Sequence, residues 1–168
     1  MSRVEPSLTE LITEVRGRIA ELGYELVDLR KRGSGRRVAL QVRLDRPDAT
    51  PGHGINVDEC ARVSRLLETW LDASGILGER YVLEVSSPGI ARPVSWREHW
   101  ERYVGRDVDL RLPGRGRARA RIVRVVEGRD AVVVRPEGQD EELELPIEPA
   151  LDATLVVDGV PWGHGKVR

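Results

Sequence analysis

The chain has 168 residues, carries 27 Lys plus Arg against 28 Asp plus Glu for a formal net charge of −1, and is 40% hydrophobic. That balance excludes a protein that coats nucleic acid by bulk charge, and the periodic apolar spacing excludes an intrinsically disordered chain. No apolar run approaches the roughly 18 residues of a membrane helix. The opening "MSRVEPSLTEL" has no apolar core and is not expected to be a secretory leader. The single cysteine, Cys60, has no partner for an internal disulfide. A cytoplasmic protein without membrane association is expected.

In chain order, Leu8, Leu11, Ile12, Val15, Ile19 and Leu22 recur at helical spacing and predict a helix from about Ser7 to Glu21. Ser7 and Glu10 form a capping-box pattern, and Gly23 suits the position just past the end. Tyr24 to Leu29 and Val38 to Leu44 read as strands that pair antiparallel across the polar turn "KRGSGRR". The loop "DRPDATPGHGI", whose Pro and Gly content suggests mobility, leads to a second helix from about Val57 to Asp72. Asn56 or Asp58 can cap it, and Cys60, Val63, Leu67, Trp70 and Leu71 make its apolar face. Cys60 is therefore expected to act as a small buried hydrophobe. "YVLEV" is a third strand, followed by the turn "SSPG" and the extended "IARPV".

Beyond this point the pattern changes. "SWREHWERYVG" predicts a short helix whose Trp96, Trp100 and Tyr103 fall one turn apart, as core residues rather than base-stacking platforms. Strands are expected at Val108 to Leu112, Ala118 to Val126, Ala131 to Arg135 and Glu142 to Leu145. A last strand near Ala153 to Val157 would close a small all-β barrel, with Trp162 beyond it partly exposed. The expected fold is α+β in two small domains: 1–91, helix-strand-strand-helix-strand, and 92–168, the barrel. Pro88 and Pro93 make the linker between them extended.

Catalytic readings find little support. One Cys and three scattered His do not make a zinc-ligand spacing, and there is no G-x-S-x-G elbow. "GHGKVR" has Val160 and Val167 where a phosphate loop needs Gly and Ser or Thr. No catalytic residue, cofactor or metal site is expected. The charges, in contrast, segregate. Arg30, Lys31, Arg32, Arg36, Arg37 and Arg43 form one run without an anion; Arg111, Arg115, Arg117, Arg119, Arg121 and Arg124 form another. Glu137 to Glu148 holds six anions and no cation. Arg outnumbers Lys 25 to 2, and guanidinium forks bind phosphate bidentately. Arg30, Lys31, Arg32, Arg36 and Arg37 in the hairpin turn, and Arg117, Arg119 and Arg121 on one strand face, are the candidate RNA-binding residues. For the second set, neutralisation by the acidic strand competes with that reading.

"VDECARVSRLLETWLD", then "YVLEVSSPGIARPV", then an aromatic short helix and "GRDVDLRL" resemble the bacterial ribosome maturation factor RimP family over nearly the whole chain. The resemblance implies an N-terminal α+β domain, a C-terminal SH3-like (Sm-like) barrel, and binding to the free small ribosomal subunit during assembly without chemistry or cofactor. The implied partners are rRNA and a small-subunit ribosomal protein, met as a monomer. The matching signature is Glu84, Val85, Ser86, Ser87, Pro88, Gly89, Arg92 and Pro93. Ala91 stands where the family usually has Asp, and Asp152 stands near a commonly basic position. Pro88 and Gly89 suit a tight turn with a positive φ at the glycine. That motif either fixes the angle between the domains or touches the ribosome. A stand-alone Sm-like RNA-binding module and an adaptor for a ribosomal protein are the alternatives.

Overall fold

The computed structural model describes residues 6–33, 37–49, 53–89 and 92–156. Trp162, the loop tip at 50–52, Arg36 and Ala91 lie outside the described residues. The chain divides into two compact units, Met1–Pro88 and Gly89–Arg168. No helix among the described residues is long and apolar enough to cross a membrane.

The first unit runs α1 (Leu8–Glu21), β1 (Glu25–Arg32), β2 (Val38–Asp45), α2 (Val57–Ser74) and β3 (Tyr81–Ser86). Helix α1 starts where expected: Ser7 Oγ accepts from the Glu10 amide, and the Glu10 carboxylate accepts from the Ser7 amide. Its buried stripe is Leu11, Val15 and Ile19, so Leu8 and Leu22 at the two ends stay exposed. Helix α2 is capped by Asn56, again with a reciprocal partner, Glu59, and ends at Gly75 in the left-handed region. Such boxes satisfy amide donors that the first helical turn leaves unpaired.

Strands β1 and β2 are antiparallel, while β2 and β3 are parallel neighbours joined through α2. Along β2, Val38, Leu40, Val42 and Leu44 are buried while Ala39, Gln41 and Arg43 are half-exposed. This period of two marks a sheet packed on one face. Leu11, Val15 and Ile19 of α1 and Cys60, Val63, Leu67 and Leu71 of α2 supply the buried helical surface. Trp70 departs from expectation. It sits about 100° around the helix from Leu71, is half-buried, and carries the Arg18 guanidinium 4.6 Å from its ring centre.

The second unit holds α3 (Arg97–Arg102), β4 (Asp107–Leu112), β5 (Gly116–Val125), β6 (Ala131–Pro136), β7 (Leu143–Pro146), a 3-10 turn at Pro149–Leu151, and β8 (Thr154–Leu155). Its core gathers Val94, Trp100, Val108, Leu110, Ile122, Val132 and Leu151, with Tyr103 packed at the edge. Trp100 is thus core; Trp96 is half-buried beside the ring of His99, 5.0 Å away. The strand order is β7-β6-β5-β4-β8. The expected closure is not observed. Strand β8 forms, but it pairs with β4, and no sheet among the described residues closes into a barrel. Strand β7 is only four residues long and ends at Pro146, which lacks an amide donor to extend a ladder. The chain then turns through Pro149–Leu151 and a left-handed Asp152 to reach the far edge.

The entry to this unit is tied to its last strand. Val94 donates to the Ala153 carbonyl at 2.9 Å, Leu155 donates to the Arg92 carbonyl at 2.8 Å, and Pro93 bridges Thr154.

Candidate nucleic-acid interface

Strand parity decides which hairpin cations act together. Cross-strand partners share a sheet face, and the register sets Arg30 opposite Gln41, Lys31 opposite Leu40 and Arg32 opposite Ala39. Arg30 and Arg32 therefore lie on the face away from the helices, while Lys31 falls on the Leu40 side. Arg43, opposite Asp28 and Ser86, joins the open face. Of the five expected cations, Arg36 lies outside the described residues, and Arg30, Lys31, Arg32 and Arg37 are divided between the two sheet faces and the turn. Arg30 Nε lies 3.1 Å from the buried Asp28 carboxylate, and Lys31 is also engaged. Arg32 and Arg37 are exposed at the two sides of the turn, and neither has an anionic partner among the described residues.

Gly33 sets the neck of this hairpin. Its φ is +79°, and a Cβ there would run into the Arg37 carbonyl oxygen. The turn between the two cations accordingly depends on glycine.

In the second unit the alternation is as expected: Arg117, Arg119 and Arg121 project from one face of β5, and Ala120 and Ile122 point into the core. The neutralising partner differs from the expectation. Strand β7 is not adjacent to β5, and the anions that meet Arg117 and Arg121 come from β4 and from Asp152 instead. Arg121 meets Asp107 at 3.0 Å, and Arg117 lies 3.2 Å from Asp109 and 2.9 Å from Asp152. Arg119 is also engaged. The acidic segment serves β6 and the turn before it, through Arg135–Glu142 at 2.8 Å and Arg129–Glu144 at 2.7 Å. Asp152 is thus an internal ion-pair partner. The stripe is internally paired; Arg111, Arg115 and Arg124 of the same run are exposed and have no such partner among the described residues.

The linker signature separates by role. Gly89 has the anticipated positive φ, +73°, with open space around it. Ser86 and Ser87 are exposed, while Pro88 and Pro93 are buried. Arg92 and Pro93 bind the last strand of their own unit through the backbone.

One further polar network lies at the start of α2. Glu59 accepts from the Asn56 amide at 2.9 Å, from Arg46 at 2.9 and 3.0 Å and from the Tyr24 hydroxyl at 3.2 Å. The Asn56 amide first, then Arg46 and Tyr24, hold its carboxyl below the usual range against the opposing effect of burial. Among the described residues no group of three or more His, Cys, Asp or Glu is arranged to hold a metal ion.

The comparison with known families agrees with this arrangement. Residues 14–91 match the family model described as the RimP N-terminal domain. That span takes in most of α1, the hairpin with its cations, α2, β3 and the serine-proline-glycine turn. Over that span the first unit is similar to a RimP N-terminal domain.

Proposed function

We propose that the chain binds the free small ribosomal subunit and assists its assembly without catalysis, cofactor or metal. On this reading it acts in the cytoplasm as a monomer that meets rRNA and a small-subunit ribosomal protein. The match over residues 14–91 supports the class of function. Arg32 and Arg37, exposed beside the first hairpin turn, support its polarity: they are cations without an anionic partner among the described residues. The SH3-like reading of the second unit rests on the sequence resemblance, and the division at 91/92 on the change from mixed helix and strand to all strand; both belong to this proposal.

The test is sedimentation of cell extract over a density gradient. The protein should travel with free small subunits and be missing from assembled ribosomes and polysomes. Uniform recovery in the unbound fraction at low salt would refute the proposal. Arg32→Glu with Arg37→Glu should weaken binding to purified subunits, and the loss should shrink as salt rises, because phosphate contacts release counterions. Tight, salt-sensitive binding of generic single-stranded RNA, with no preference for the particle, would favour the stand-alone module instead.

A further inference from the structure

We propose that the tip of the β4–β5 hairpin, through Arg111 and Arg115, is a second contact to the phosphate backbone of RNA. This rests on the reading of the chain as a subunit-binding factor, and it assigns a surface in the other unit.

On the outer face of the five-stranded sheet two arginines, Arg121 and Arg135, stand opposite each other, and each has its own anion: Arg121 meets Asp107 and Arg135 meets Glu142. At the tip Arg111 likewise stands directly opposite Arg117, and like charges in that position destabilise a strand pair unless each is neutralised. The guanidinium of Arg117 is drawn toward Asp109 and Asp152, which leaves Arg111 without an anion among the described residues. Arg115 follows at the end of a tight turn in which Pro113 and Gly114, φ +73°, set the corner and the Arg115 amide donates to Leu112 at 3.0 Å. Glycine on either side of Arg115 leaves its side chain and the adjoining backbone open to approach. A fold that neutralises Arg117, Arg121 and Arg135 on this face, yet leaves two exposed arginines at its tip without an anion among the described residues, leaves a repulsion that an outside anion relieves. A guanidinium fork meets a phosphodiester oxygen pair in plane.

Arg106 and Arg124 supply an internal control. They too are exposed and without an anionic partner among the described residues, but they sit at the other end of β4 and β5, away from the Arg111–Arg117 pair. The experiment compares Arg111→Glu with Arg115→Glu, and Arg106→Glu with Arg124→Glu, for binding to purified small subunits and to poly(U) across a salt series. The tip variant should bind at least about tenfold more weakly at low salt, with a log–log salt slope shallower by about one to two. The control should stay within about threefold of wild type. The thermal midpoint of the tip variant should not fall, because Arg111→Glu turns a like-charged pair into an opposite one. Wild-type affinity of the tip variant on both probes, or equal losses in both variants, would overturn the proposal. If the wild-type protein itself ignores the subunit, the functional reading fails, and poly(U) alone decides the tip: an unchanged salt slope overturns it, a shallower one sustains it.

Discussion

Removing the Asp45 carboxylate should destabilise the first unit by about 2–4 kcal/mol, and the loss should couple to Gly54. The Oδ1 atom of Asp45 accepts from the Arg46 amide and from the Ile55 amide, both at 2.9 Å, so one carboxylate ties the two ends of the 46–55 loop. Asp45 and Ile55 are both buried, and a buried donor left without its acceptor costs about 1–3 kcal/mol. Asp45→Asn keeps an oxygen at that position and should cost far less than Asp45→Ala. A Cβ on Gly54 would stand 2.8 Å from the same Oδ1, so Gly54→Ala should cost about 1–2 kcal/mol by overpacking. In the Asp45→Ala background the obstructing oxygen is gone, and Gly54→Ala should be nearly neutral. The assay is urea unfolding of the four proteins of the cycle, with backbone hydrogen exchange in α2 reporting on the first unit. Costs that add within about 0.5 kcal/mol would refute the reasoning, since independent sites behave that way.

Gly33→Ala should lower the thermal midpoint more than Gly89→Ala: both positions have positive φ, but only at Gly33 does a Cβ meet backbone; equal shifts would show that the neck relaxes freely. The depressed Glu59 carboxyl has a signed consequence. Its stabilising contribution is full above the unfolded glutamate value of about 4.3 and is lost as pH falls through the lower folded value. Glu59→Gln should therefore be less stable than wild type at pH 7, and the gap should narrow below about pH 4 in melts taken across pH; a constant gap would refute this. Cys60 is buried, and burial first, then Glu59 and Asp45, push its thiol up. It should resist alkylation at pH 8 in the native protein and react promptly in urea; rapid native labelling would contradict the packing of α2.

Much of the fold was legible because its signals are local. The Ser7–Glu10 pair, Gly75 after α2 and the alternation of β2 each depend on residues a few positions apart. What was not legible depends on the neighbour a strand acquires. Nothing in "RARARIVR" says that β4 lies beside it while β7 lies two strands away, so the Arg117 and Arg121 partners came out as Asp109, Asp152 and Asp107. The split of Arg30 and Arg32 from Lys31 was available from simple alternation, and Arg43 follows from it once the register is known. The closure of the barrel was an extrapolation from strand count. Trp70 belongs to the apolar stripe of α2 but is only half-buried, and helical spacing alone does not tell a fully covered position of such a stripe from a partly covered one.

The backbone ladder between residues 92–94 and 153–155 has a mechanical meaning. Entry and exit of the second unit run side by side, so everything between them is a loop cinched at a single seam. A pull applied between the first unit and the chain end would load that seam ahead of the β4–β5–β6 interior. The bonds Val94–Ala153 and Leu155–Arg92 would break in succession, as in a zipper, at low force. Optical-tweezer traces of the full chain should therefore begin with a short, weak extension in which β8 peels away from β4 and the rest of the sheet stays intact.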